Sequence, residues 1–403
     1  MGNRASDHAL EHALDASPST ARRVRMAVTV WVAGAAVAAV AMWPSGDRTA
    51  QFPDVPRVAG QVTSVEIAPC TGTAVADLVE CRIVSVLLTT GEEAGSTAVL
   101  ELAVTGTPGR QVDVGDRIFV RSSTGADGRP VYQFADYRRS GPMWVLAVLF
   151  ATVVVALGRW RGVGALGGLV VGAAVLVGFV LPALLDGSSP VLVAVVGASI
   201  VAAVALLLAH GPGPATEVAL LSTLVSLSLT GVLAWAFVGL TSLTGLSDEN
   251  ALLLGSLGVS IDPRGLLLAG VVIGSLGVLD DVTVTQVAVV GELHHSQPAM
   301  PTAELVRRAM SVGRDHISST VNTLFLAYAG AALPLLLLFT ETGVGVAEVV
   351  TSETVAIEVV RTLVGSIGLV ASVPISTWLA AAVLRRDPLS RAGGDGEASA
   401  AAV

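Results

Sequence analysis

Lysine does not occur in this chain of 403 residues; charged residues make up 14% of it, aromatics 4%, and there are two cysteines. Each shortage excludes a class of function. Without lysine, and with no GxxxxGK[ST] run, there is no phosphate-gripping loop of the kind an ATP-driven pump needs. The GxSxG elbow of a serine hydrolase and the HExxH helix of a zinc peptidase are also missing, so the chain is not expected to be an enzyme. All 23 basic residues are arginines, the net charge is -9, and the sequence holds no basic stripe to neutralise phosphates, which excludes nucleic acid as a partner. With 53% hydrophobic residues and a mean hydropathy of +0.73, the chain lacks the polar surface of a soluble protein of its length.

What is present are apolar runs long enough for a bilayer, near 26–43, 143–158, 163–185, 191–209, 218–243, 265–291, 317–339 and 355–384. The expected architecture is an all-α polytopic membrane protein of about eight transmembrane helices, with the lipid bilayer as its first partner. Arginines orient it, because short loops rich in Lys/Arg stay in the cytoplasm. Arg22, Arg23 and Arg25, then Arg159 and Arg161, then Arg307, Arg308 and Arg314, and finally Arg385, Arg386 and Arg391 all fall on one side. The intervening loops 186–190, 245–264 and 340–354 hold Arg264 alone. Both termini are therefore expected in the cytoplasm, and the all-arginine, Ala/Val/Gly-rich composition points to the plasma membrane of a bacterium. Residues 1–25 and 385–403 read as disordered tails. Residues 26–43 read as a retained anchor rather than a cleaved signal, since the core is long and no small-x-small site follows Trp43.

Between the first two runs, residues 44–141 alternate like half-buried strands, as GQVTSVEI, CRIVSVLLTTG, TAVLELAVTG, DRIFVRSS and VYQFADYR, separated by Gly, Pro and Asp-rich turns. Five short strands in a row predict a small extracytoplasmic β-barrel of OB-like kind inserted before a seven-helix domain, 142–384. Cys70 and Cys81 both fall in this segment, and an oxidising compartment with a short closed loop favours a disulfide between them over a pair of inert thiols.

Polar residues inside the C-terminal runs are the candidate site. Asp280 and Asp281 interrupt an otherwise uncharged stretch from Gly265 to Gly291, where each carboxylate costs roughly 2.5–3.5 kcal/mol to insert. Asp281 and Thr285 share a helical stripe with Gly270, Gly274 and Gly277, whose small residues suit close helix packing. Asp280 points about 100° away from Asp281, so the two do not form a single dyad. Asn322 on the seventh run needs a hydrogen-bonding partner, and Glu358 and Arg361 on the eighth lie one turn apart, either as a local ion pair or as ligand contacts. Glu292, His294 and His295 sit at a wet loop with the histidines splayed, so no metal or other cofactor is expected.

The stretches GSLGVLDDVTVTQ, GRDHISSTVNTLFLAYAGAALPLLLL and EVVRTLVGSIGLVASVP resemble the YibE/F family of bacterial multi-spanning membrane proteins, over roughly 144–384. The resemblance implies architecture more than activity, and its emphasis falls on the Gly-then-Asp stretch, here Gly274, Gly277 and Asp281. Two functional expectations follow. One is a secondary transporter or permease-like protein that uses a membrane-buried aspartate to couple a proton or cation to a small solute. The other is a non-transporting scaffold whose extracytoplasmic β domain recruits envelope protein partners.

Overall fold

The computed structural model describes residues 17–44, 57–69, 80–103, 111–124, 130–247, 255, 262–341, 343 and 345–384. They belong to two compact units, one of Gly46–Val153 and one of Met1–Ser45 with Val154–Val403. Expectations for 1–16, 385–403 and Cys70 lie outside the described residues.

In the smaller unit, strands β1 (Arg57–Pro69), β2 (Glu80–Leu88), β3 (Thr97–Ala103), β4 (Arg117–Thr124) and β5 (Pro130–Tyr137) form one antiparallel sheet in the order β3-β2-β1-β4-β5. Alternation does the work: one side of each strand supplies Val62, Val84, Val86, Leu88, Leu100, Ile118 and Val120 to a shared core. Gly60 is glycine because a Cβ there would overlap the Val86 side chain. The turn VDVGD before β4 is closed by Asp116, whose carboxylate accepts from the Asp113 N–H at 3.0 Å, with Gly115 at φ 92°. Against the expected barrel, the described residues form one antiparallel sheet whose edge strands β3 and β5 come within 8 Å of each other without a ladder between them.

The larger unit is helical: α1 (Pro18–Ala41), α2 (Ser140–Val175, its first part in the smaller unit), a π turn Leu176–Val180, α3 (Leu181–Leu185), α4 (Pro190–His210), α5 (Pro214–Leu240), α6 (Pro263–Ser296), α7 (Thr302–Ala331), α8 (Leu333–Glu341), α9 (Val346–Thr351) and α10 (Glu353–Val383). Proline in the first turn starts α1, α4, α5 and α6, where its missing N–H has no intrahelical role. The α1 helix therefore begins at Pro18, ahead of the expected Met26. Among the described residues six helices are long and apolar enough to cross a membrane, or seven if the bent pair α7 and α8 is one span. The expected runs are interrupted in two places. Runs 143–158 and 163–185 lie on two helices that meet at Arg159, where the backbone leaves helical geometry, φ 52° and ψ -131°, and a Cβ on Gly162 would overlap the Val154 carbonyl. Run 317–339 breaks by 59° between α7 and α8, where Pro334 has no N–H to continue the ladder.

The packing centre of this unit is α5, α6 and α10. Leu224, Leu227, Leu276 and Leu279 fill one layer, Val287, Val290, Ala380 and Val383 another. A polar seam runs between them, and it is fully buried: Ser222, Thr223, Ser226 and Thr230 of α5 face Thr283 and Gln286 of α6 and Ser372, Ser376 and Thr377 of α10. Most of these hydroxyls donate to a carbonyl one turn back, which satisfies them within their own helix. Across helices, the Thr223 and Thr283 hydroxyls lie 2.6 Å apart, and Gln286 Nε2 donates to Ala309 O at 2.9 Å and Thr377 Oγ1 at 2.8 Å. Hydroxyls around Pro374 also steady α10 where the proline interrupts it.

Candidate functional site

The site is built on α6. Asp262 caps its start, accepting from the Arg264 N–H at 3.1 Å, and the helix then runs without a break past both aspartates. Leu276, Leu279, Val282, Thr283 and Gln286 are the buried side, packed on α5 and α10. The opposite stripe of Gly270, Gly274, Gly277, Asp281 and Thr285 is exposed along its whole length. One helix thus has a sealed face and an open one, and the carboxylate of Asp281 belongs to the open one.

That stripe opens at its centre into a cavity of about 760 Å³ between α6, α4 and the second half of α2. Gly277, Asp280, Asp281 and Thr285 line it on the α6 side, and His210 closes one end of α4. The other walls are small and aliphatic, such as Gly168, Gly172, Ala198, Ala202 and Ala205. Small residues on α2 and α4 are what leaves the space. Asp280 Oδ1 and His210 Nδ1 are buried and have no hydrogen-bond partner among the described residues. The Asp280 carbonyl accepts from Thr283 Oγ1 at 3.1 Å, which ties the aspartate's backbone into the polar seam.

A second cluster lies further along the stripe. Arg361 Nη1 donates to Glu358 Oε1 at 2.7 Å, with both side chains about a third exposed, 27% and 31%. The other Arg361 amino group sits 3.8 Å from where a Cβ on Gly270 would stand, and the Tyr328 hydroxyl 3.5 Å from the same point on Gly274. The expected site residues therefore divide. Asp280, Asp281, Thr285 and Gly277 meet in the cavity; Glu358, Arg361, Gly270 and Gly274 meet around Tyr328; Asn322 is exposed on α7 and joins neither. The three stripe glycines make no close helix contact, and nothing lies within 4 Å of a Cβ on Gly277. Glycines that do admit a neighbour include Gly164, against the Leu208 carbonyl, Gly313, against Val373 and Gln286, and Gly368, against Thr230.

His210, Tyr328 and the Gln286–Thr377 contact were not expected from the sequence. The four-residue rhythm of Ser222, Ser226 and Thr230 was a readable signal for the seam, since it places three hydroxyls on one helix face. His210 and Tyr328 gave no such signal, because their roles come from helices remote in sequence. Among the described residues no three His, Cys, Asp or Glu side chains assemble as metal ligands. What the cavity offers chemically is an unpaired carboxylate in apolar surroundings, which gains from a proton or a cation.

Residues 146–386 match the family model described as YibE/F-like protein. No curated protein and no solved structure matches the chain. Since that match takes in more than half of the sequence, including the second half of α2 and all of α4 and α6 around the cavity, the chain belongs to the YibE/F-like protein family.

Proposed function

We propose that this protein is a permease-like secondary transporter of the bacterial plasma membrane, in which Asp281, with Asp280 beside it, binds a proton or cation and couples it to a small solute. The observation that carries this reading is the cavity of about 760 Å³ with both carboxylates in its wall. A merely structural pair of aspartates would be enclosed by helices and paired, as Gln286 is with Ala309 and Thr377. The test is ion flux into proteoliposomes holding the purified protein, followed with pH- and sodium-sensitive dyes. Flux that Asp281→Asn abolishes supports the reading; flux that Asp281→Asn leaves unchanged overturns it.

The same reading places both termini in the cytoplasm and takes Ser140–Leu185 as two crossings. Support comes from the break at Arg159, after which a Cβ on Gly162 would overlap the carbonyl of Val154, a residue about 12 Å away along a straight helix. Counted so, and with α7 and α8 as one bent span, there are eight crossings. An even number suits the contact between Ser17 N–H and Val383 O, 2.8 Å, which joins the start of α1 to the end of α10. We also propose the Cys70–Cys81 disulfide. Cys81 is buried on β2 opposite Ala68, two positions from Cys70 in the sequence.

A further inference from the structure

Strand pairing in the smaller unit gathers arginines that are scattered in the sequence. Arg57 of β1 stands directly opposite Arg121 of β4, and Gln61 opposite Arg117, so by the two-residue alternation Arg57, Arg117 and Arg121 share one face of the sheet. All three are exposed. A like-charge pair directly across two strands destabilises a sheet, and no carboxylate among the described residues forms an ion pair with Arg57, Arg117 or Arg121. The backbone continues the patch. Arg138 N–H donates to Arg117 O at 2.8 Å, Arg139 follows, and the helix that starts at Ser140 exposes Met143, Trp144, Val145 and Leu146 at once. Asp136 accepts from Arg139 at 2.7 Å and is near enough to Arg57 to feel its charge, one carboxylate against five arginines on this side of the sheet and its continuation.

We infer that this arginine face is a binding site for the phosphates of anionic lipid headgroups at the bilayer surface. The chain itself argues for that occupant. Arg138 and Arg139 precede an exposed apolar helix by one or two residues, which sets them at headgroup level, and Arg117 is hydrogen-bonded to them through the backbone. Guanidinium groups hold phosphate oxygens by paired N–H donors, and an anionic surface attracts each basic side chain held near it. Orientation alone does not account for these arginines, because the far end of the same apolar run already carries Arg159 and Arg161. The inference is independent of any transport activity.

Its test is the rate at which phenylglyoxal modifies individual arginines of the full chain in nanodiscs, read by mass spectrometry. With phosphatidylglycerol in the disc, modification of Arg57, Arg117 and Arg121 slows about fivefold or more relative to discs of phosphatidylcholine alone, and 0.5 M salt removes the difference. Arg82, held by Asp113 and the Val112 carbonyl, keeps one rate in both discs. In the variant Arg57→Gln/Arg121→Gln the protection of Arg117 falls, and in Arg57→Lys/Arg121→Lys it is retained. Equal rates in both discs overturn the inference. So does equal protection by 10 mM inorganic phosphate in phosphatidylcholine discs, which assigns the face to a free anion instead.

Discussion

Gly277 and Gly368 look equivalent in the sequence, each a glycine in an apolar run, but their surroundings separate them. A methyl at Gly277 enters open space, whereas one at Gly368 overlaps the hydroxyl of Thr230, a stiff β-branched side chain that is itself fully buried. Gly277→Ala is therefore expected to change stability by less than about 0.5 kcal/mol, and Gly368→Ala to lower it by about 1–3 kcal/mol, measured by thermal unfolding in one detergent. Asp136 gives a second residue-scale expectation. The Tyr137 backbone N–H and the Arg139 side chain hold its carboxyl below the usual carboxylate range. A depressed folded value contributes stability that is fully present above about pH 4 and is lost as pH falls through that folded value. Hydrogen exchange of β4 and β5 should accelerate in that acid window, and Asp136→Asn should remove that part of the dependence. At this scale the sequence was informative about Asp281 and Thr285, whose four-residue spacing is a local property. It was silent on His210, Tyr328 and the pairing of Arg57 with Arg121, which depend on contacts between distant segments.

Elements were legible where a single period governs them. The five β-strands lie where alternation predicts them, and α4, α5, α6 and α10 lie on the expected apolar runs, because burial of one face or of a whole helix writes itself directly into composition. Breaks within helices were not legible. Arg159 and the Ala331–Leu333 bend sit inside sequence that reads as uniformly apolar or as a short loop, and what fixes them is the approach of the chain to itself. The β1–β2 hairpin carries its own prediction: full-length protein denatured without reductant should expose no alkylatable thiol, and reduction should release two. Two thiols before reduction would remove the Cys70–Cys81 bridge.

For the whole molecule, the proposed even number of crossings and the arginine pattern give one testable topology. A cysteine at Ser188, between α3 and α4, should be labelled from outside intact cells, and one at Ser296, at the end of α6, should not. Labelling of both from the same side would contradict the crossing count between them. The central claim is that Asp281 opens into a solvated cavity rather than a dry helix contact, and its most direct test is the reactivity of Thr285→Cys and Gly277→Cys toward a water-soluble, membrane-impermeant methanethiosulfonate. Both positions lie in the cavity wall beside the aspartates. In oriented membrane vesicles, and measured as the increment over the unsubstituted chain, both cysteines are predicted to react from at least one side, with the rate altered by Asp281→Asn. If neither reacts from either side while both react with a lipid-soluble maleimide, water does not reach the carboxylates, and the cavity is a lipid-filled groove around a structural aspartate.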